Sequence, residues 1–364
     1  MLRSVNTLLR LALIAVVTGL SAPAVTAAEG RSPVYDALIR LSVDRIDTVT
    51  GYMAESARVL GRQYASIYRR VPALSEAERA AWQAGSRKRD GTVTYQTWPG
   101  DPDTPPPYQS PHPAFHDYRA GGPTEETYRQ LKAFERLVPA FEAEYETFGF
   151  SWVYLTTTDE VLMIYPFLPS KNALENAPPT KQVFYTSADF AHRRCGWSPP
   201  YLDLVGAGMM VTVACPVYEG DEVLGVMSRD ITLKQLSASV LARLAVEPGA
   251  VAYIVDGNGL LLGTSTPALA GELDRVNNDA GAAVLYFRTE KGLGKLARPG
   301  AVISSSVRMN ALTEAVLERA IASAGDIVGF ETEGNEVLAA RTAGTGWYVV
   351  LAFPEGLKGT GVRP

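Results

Sequence analysis

Met209-Met210-Val211-Thr212-Val213-Ala214-Cys215-Pro216-Val217-Tyr218-Glu219-Gly220-Asp221-Glu222-Val223-Leu224-Gly225-Val226-Met227-Ser228-Arg229-Asp230-Ile231 is two apolar, β-branched runs around a turn-forming Glu-Gly-Asp-Glu. Runs of this kind, bounded by Gly and Asp, read as neighbouring antiparallel strands. Upstream, Trp197 to Leu204 leads into Gly206-Ala207-Gly208 and returns as Met209 to Val217, which predicts a second hairpin. Trp152 to Leu155 and Val161 to Tyr165 surround Thr158-Asp159 and predict a third. Downstream, Thr232 with Gln235 three residues later forms a capping box that opens a helix to about Leu244.

The same plan restarts at residue 251. Val251 to Asp256, Gly257-Asn258-Gly259 and Leu260 to Thr264 repeat the opening hairpin, and Trp347 to Phe353 supplies a closing strand. Glu333-Gly334-Asn335-Glu336-Val337-Leu338 echoes Glu219-Gly220-Asp221-Glu222-Val223-Leu224, and two echoes in matching order argue for two related modules. Ahead of both, Ser32-Pro33 is a cap and first-turn signal. Apolar positions then recur at steps of three and four from Ile39 to Val71, which predicts one helix of about 57 Å, long enough to act as a spine for two modules. Residues 86 to 123 hold eight prolines and are expected to be a long loop; a helix from Thr124 to Thr147, disturbed at Pro139, follows. The predicted organisation is a leader over 1–28, the spine over 29–85, the Pro-rich loop over 86–123, a first module over 124–245 and a second over 246–364. The fold class is α+β, each module a mainly antiparallel sheet flanked by helices.

Arg3 and Arg10, an apolar run from Leu11 to Val17, and small residues ending in Val25-Thr26-Ala27-Ala28 are laid out as a secretory signal peptide, so a periplasmic or secreted location is expected. An uncleaved membrane anchor is the alternative. Removing that leader leaves 32 cationic and 39 anionic residues, a charge of −7, with no basic patch for nucleic acid. Cys195 and Cys215 flank the predicted hairpin at Gly206 and are expected either to form a disulfide or to remain as two buried thiols. The three histidines include His112 and His116, but Pro113 between them spoils a shared helical face for a metal. No nucleophile elbow, phosphate loop or dinucleotide fingerprint occurs, so neither an enzyme nor a cofactor is expected.

A long helix followed by two such modules behind an export signal resembles the double Cache extracytoplasmic sensor domains of bacterial chemoreceptors and sensor kinases. The resemblance is carried by Phe184-Tyr185, Ser198-Pro199-Pro200-Tyr201, Val211-Thr212-Val213-Ala214 and Leu224-Gly225-Val226-Met227-Ser228-Arg229-Asp230-Ile231. In amino-acid-binding members, an Arg two residues before a Trp-Tyr pair holds the ligand carboxylate with the Trp, while a later Tyr and an Asp hold its ammonium. The resemblance places the aromatic pair on Phe184 and Tyr185, the later Tyr on Tyr201 and the Asp on Asp230. It places the Arg on Gln182, a departure that removes the bidentate fork; neighbouring Lys181 offers only a point charge. The family also continues into a membrane helix and an output domain, whereas Pro354 to Pro364 here stops short, so a free-standing form is expected.

The ligand-binding set is therefore Asp230, Tyr201, Tyr185, Phe184, Gln182 and Lys181, with Tyr165 at the end of its strand as a further wall. Asp230 leads it because a carboxylate on a buried strand must be paired, and an ammonium pairs it well. The tyrosines suit the same cation. Removing Asp230 is expected to abolish binding without loss of stability. The expected function is reversible binding of a small polar metabolite, an amine or amino acid ahead of a short carboxylate, with the signal passed to a membrane-bound kinase, chemoreceptor or transporter. The alternative is an interaction module with a degenerate pocket, docking on a membrane kinase or transporter through the Pro-rich loop.

Overall fold

A computed structural model describes residues 33–89, 91–95, 112–119, 121–148, 152–167, 178–203, 208–241, 249–277, 284–294, 300–319 and 326–354. The signal-peptide reading, Ser32, Gly206 and the chain end after Pro354 lie outside them. The chain opens with α1 (Pro33–Tyr68), α2 (Glu76–Ala84), β1 (Ser86–Arg89), β2 (Thr92–Tyr95), β3 (Ala114–Asp117) and α3 (Glu125–Phe148). The first module continues through β4 (Val153–Thr157), β5 (Val161–Tyr165), a 3-10 turn over Pro179–Lys181, α4 (Val183–Thr186), β6 (Gly196–Trp197), β7 (Tyr201–Leu202), β8 (Met209–Glu219), β9 (Glu222–Thr232) and α5 (Leu233–Val240). The second comprises β10 (Val251–Val255), β11 (Leu261–Thr264), α6 (Pro267–Asn277), β12 (Val284–Tyr286), α7 (Glu290–Leu293), β13 (Ala301–Ile303), α8 (Val307–Arg319), β14 (Ile327–Thr332), β15 (Asn335–Arg341) and β16 (Tyr348–Pro354).

The spine forms as its spacing requires. Ile39, Val43, Ile46, Met53, Ala57, Leu60 and Tyr64 are buried along one face of α1. That face lies on β8 and β9 of one sheet and on β15 and β16 of the other, so a single helix of about 54 Å holds both. Near the second sheet, the Asp47 carboxylate accepts hydrogen bonds from the backbone N–H of Ala343 (3.0 Å) and Gly344 (2.9 Å). Helix does not fill 29–85, however. It stops at Tyr68, ahead of Pro72, and α2 restarts behind a Ser75–Glu78 capping box.

The first sheet runs β1-β2-β3-β5-β4-β9-β8-β6, with β7 also paired to β8, and every pair is antiparallel. Three of its strands come from the segment expected to be a loop. The prolines there crowd between 99 and 113, which leaves Ser86–Tyr95 and Ala114–Asp117 free of them and able to pair. Conversely, the strand predicted from Trp197 to Leu204 is cut into β6 and β7, because Pro199 and Pro200 have no amide to donate. Pro139 sits inside α3 without ending it, and the flanking Leu137 and Phe141 are each 1% exposed, so packing holds the helix across the missing bond. Cys195 and Cys215 are joined as a disulfide beside the Gly196–Ala214 pair of β6 and β8.

The second sheet runs β11-β10-β16-β15-β14, again antiparallel, and β12 pairs with β13 in parallel nearby. Its strand order matches β5-β4-β9-β8-β6 of the first, so the two modules share one plan. The Glu-Gly echo misaligns them, though. Glu219-Gly220 joins β8 to β9, whereas Glu333-Gly334 joins β14 to β15, one hairpin earlier in the plan. Two ordinary turn sequences produced that likeness; the strand order carries the true correspondence.

Alternation along the strands sets two faces. Val153, Leu155, Met163, Val211, Val213, Met227 and Ile231 face α1 and α3 in the main core. Tyr154, Leu162, Ile164 and Met210 face the other way, where Phe184 and Tyr201 pack on them.

Candidate functional site

Asp230 stands on that second face, near the end of β9, and is 4% exposed. Its Oδ1 accepts the Thr212 hydroxyl at 2.6 Å and the Tyr154 hydroxyl at 3.0 Å. Thr212 lies directly opposite on β8, and its Oγ1 is 2.6 Å from the Tyr201 hydroxyl. Thr212 has one hydroxyl proton; with Asp230 ionised that proton goes to the carboxylate, so Tyr201 donates to Thr212. Tyr154 likewise donates to Asp230. Both phenol oxygens are then left with only lone pairs, and the cluster is an acceptor for a hydrogen-bond donor.

Burial drives the electrostatics. Desolvation lifts the Asp230 carboxyl to about 7, against the two hydroxyl bonds that favour its anion; Asp203 adds to the rise and Arg229 opposes it. Tyr154 and Tyr201 are held protonated, first by burial and then by the Asp230 charge. An apolar and aromatic wall completes the cluster: Tyr154 meets Phe184 edge-on at 5.3 Å, with Trp152, Ile164, Phe167 and Met210 alongside.

The predicted residues divide by position. Asp230, Tyr201 and Phe184 come together. Tyr185 packs in a separate small cluster with Phe190, Ala188, Ala214 and Val226, its hydroxyl pushed up to about 12 by burial. Gln182 is half-buried as the cap of α4, its carbonyl accepting from Tyr185 and Thr186, and Lys181 is exposed at the end of the 3-10 turn. Tyr165 lies on the opposite, helix-facing side against Tyr145, ring centroids 5.5 Å apart, because it is one residue out of phase with Ile164. Tyr154, Thr212 and Ser228 were missed. Thr212 was legible as the partner of Asp230 once the β8–β9 hairpin was counted outward from its turn. Ser228 fastens the cover, its Oγ donating to the Phe184 carbonyl at 3.1 Å. Glu160 accepts the Thr180 backbone N–H at 3.1 Å and the Thr180 hydroxyl, which ties the 3-10 turn to the β4–β5 hairpin.

The second module supplies an internal control. At the positions matching Thr212 and Asp230, β15 and β16 pair Val337 with Ala352, both 0% exposed. Tyr253, which matches Tyr154, accepts a hydroxyl from Thr313 of α8 instead. The polar cluster therefore belongs to the first module alone.

Residues 127–238 match the family model described as methyl-accepting chemotaxis protein-like, first PDC sensor domain. The matched stretch falls within the first module, which is thus similar to PDC, or Cache, sensor domains. The second sheet, outside the matched stretch, repeats the strand plan of the first. The methyl-accepting chemotaxis protein McpC of Bacillus subtilis (strain 168) is 28% identical over 109 residues, which is 30% of this chain and 16% of that protein, so the matched stretch spans a small part of that relative. Among solved structures, the ligand-binding domain of the Campylobacter jejuni chemoreceptor Tlp3 in complex with L-norvaline has a TM-score of 0.49 at 12% identity, covering 92% of this chain and 97% of that one. The ligand-binding domain of the Pseudomonas aeruginosa PAO1 amino acid chemoreceptor PctC in complex with GABA has a TM-score of 0.36 at 19% identity, covering 58% and 78%.

Proposed function

We propose that this protein is an exported, periplasmic Cache sensor that reversibly binds a small amine-bearing metabolite at Asp230 and passes its occupied state to a separate membrane partner, such as a kinase, chemoreceptor or transporter. The observation that carries the reading is the buried hydroxyl–carboxylate cluster of Asp230, Thr212, Tyr154 and Tyr201: once Asp230 is ionised the cluster's hydroxyl protons are all engaged, so it offers acceptors inside an aromatic wall, and an ammonium ion supplies the donors. The ring faces add cation–π attraction of about 0.5–2 kcal/mol each. The match of the first module to a chemotaxis sensor model supports sensing over catalysis.

Gln182 at the family's carboxylate-binding position, with Lys181 out in solvent, favours an amine over an α-amino acid. A zwitterion's carboxylate would lose water here without a guanidinium to replace it. A calorimetric panel of 2-phenylethylamine, short alkylamines, amino acids and short carboxylates on residues 29–364 tests the reading. Amines are expected to bind and Asp230→Ala to abolish the heat. Binding of carboxylates alone would sink the Asp230 assignment, and silence across the panel would favour an interaction module with a degenerate pocket.

A further inference from the structure

Arg229, the residue before Asp230, points to the opposite face of β9 and is the largest fully buried side chain among the described residues. It sits in the core between β9, α1 and α3, surrounded by apolar residues. Its Nη1 donates to Ser56 Oγ of α1 at 2.5 Å and to Glu144 Oε2 of α3 at 2.8 Å, its Nη2 to the Glu144 carbonyl at 3.3 Å, and Ser56 Oγ closes the ring by donating to Glu144 Oε2 at 2.7 Å.

Nothing in the fold demands an arginine there. Arg229 pairs with Val153 on β4 and Val213 on β8; the matching place in the second module, paired with Ala252 on β10 and Leu338 on β15, is Leu351, also 0% exposed and also in the core beneath α1. A leucine thus satisfies this position in the same molecule. Exchanging a buried ion pair for well-packed hydrophobic groups is often neutral or stabilising, so stability does not explain the arginine.

We propose that Arg229 is a positioning residue that reports the occupation of the Asp230 site to α1 through Ser56 and Glu144. The inference rests on the reading of Asp230 as a cation site. Two consecutive residues of one strand cannot move independently, so a shift of Asp230 towards a ligand carries the Arg229 backbone with it. Charge acts in the same sense. Asp230 and Glu144 both attract the guanidinium, and a ligand cation that neutralises Asp230 leaves Glu144 and Ser56 as its remaining partners. From Ser56 the same helix runs back to Asp47, which holds the Ala343–Gly344 turn of the second module.

The test is amide hydrogen exchange over residues 50–60 in the full chain at pH 8, where Asp230 is ionised, with two ways of removing its charge: 2-phenylethylamine, or the substitution Asp230→Asn without any ligand. With Arg229 present, either one is expected to slow exchange at least about fivefold, the low end of measured couplings between sites. In Arg229→Leu, which copies Leu351, the probe still binds and exchange over 50–60 no longer responds. Glu144→Gln carries the same comparison should Arg229→Leu fail to fold. A response to Asp230→Asn that persists in the Arg229→Leu background overturns the proposal. Wild-type protein that ignores the amine but answers Asp230→Asn through Arg229 refutes the ligand reading and keeps the coupling.

Discussion

Asp230 is a buried carboxylate that accepts the hydroxyls of Thr212 and Tyr154. Arg229, the cation that acts on it among the described residues, is turned to the far side of the sheet and engaged with Glu144. The consequence is a pH dependence of defined sign. With the carboxyl raised from 3.8 to about 7 by burial, the folded chain keeps a proton there that the unfolded chain releases, so this group's contribution to stability is full below pH 3.8 and lost as pH rises through 7. Melting at pH 5 and pH 8 is expected to show wild type losing more stability than Asp230→Asn across that window; parallel losses would show that the carboxyl is not desolvated. Amine binding runs the other way, tightening as pH rises through 7 because the cation pairs with the ionised form. The sequence-based expectation that Asp230→Ala costs no stability needs correcting: Tyr154 and Thr212 donate to Asp230, and stranding two buried donors costs about 1–3 kcal/mol.

At the scale of elements, the site is placed by the β8–β9 hairpin and by how tightly β9 lies against β4. Gly225 marks the closest approach. A Cβ there would sit 2.2 Å from the Thr156 carbonyl oxygen and 2.9 Å from the Thr157 Cα, both backbone atoms that cannot step aside. Gly225→Ala is therefore expected to cost about 1–3 kcal/mol, read as a lower urea midpoint, and to weaken amine binding by shifting β9. An unchanged midpoint would mean that the two strands separate more easily than their pairing implies. The cover over the site, from the 3-10 turn through α4, is fastened at Glu160 and Ser228. Neither clasp follows from local sequence, since each partner lies more than 15 residues away.

For the whole molecule, the disulfide and the spine helix do different work. Cys195–Cys215 closes a loop of 20 residues around β6, β7 and the start of β8, and both sulfurs lie near the Ala54 carbonyl of α1. A Cys195→Ser/Cys215→Ser double variant is expected to lose about 3 kcal/mol in urea denaturation, the entropy of opening a loop of that length. The loss should be uniform across probes of both sheets, because α1 packs on both; a variant in which the first sheet melts alone would show that the spine does not couple the modules. Trp197 of β6 meets Trp347 of the second module at 5.8 Å, a further contact across the junction.

Much of this architecture was legible in the chain. Helical spacing from Ile39 to Tyr64, the Thr232–Gln235 cap and the hairpins around Asp159 and Glu219 are local signals, each decided within a few residues, and each formed where it was read. Asp230 was singled out on a local signal too, because a lone carboxylate on an apolar strand is conspicuous without any structure; its ligand-binding role is the proposal made above. What the sequence could not settle depended on distant partners. A three-strand extension was hidden by averaging prolines over one long window, and the module repeat was aligned on the wrong hairpin because turn chemistry recurs wherever a turn is needed. Tyr165 and Tyr154 look alike in composition, yet strand phase turns one towards the helices and the other towards Asp230. Only tertiary structure brings Thr212, Tyr154 and Phe184 to Asp230 and Ser56 and Glu144 to Arg229, since side-chain contacts between strands and helices are set by register and packing across the fold.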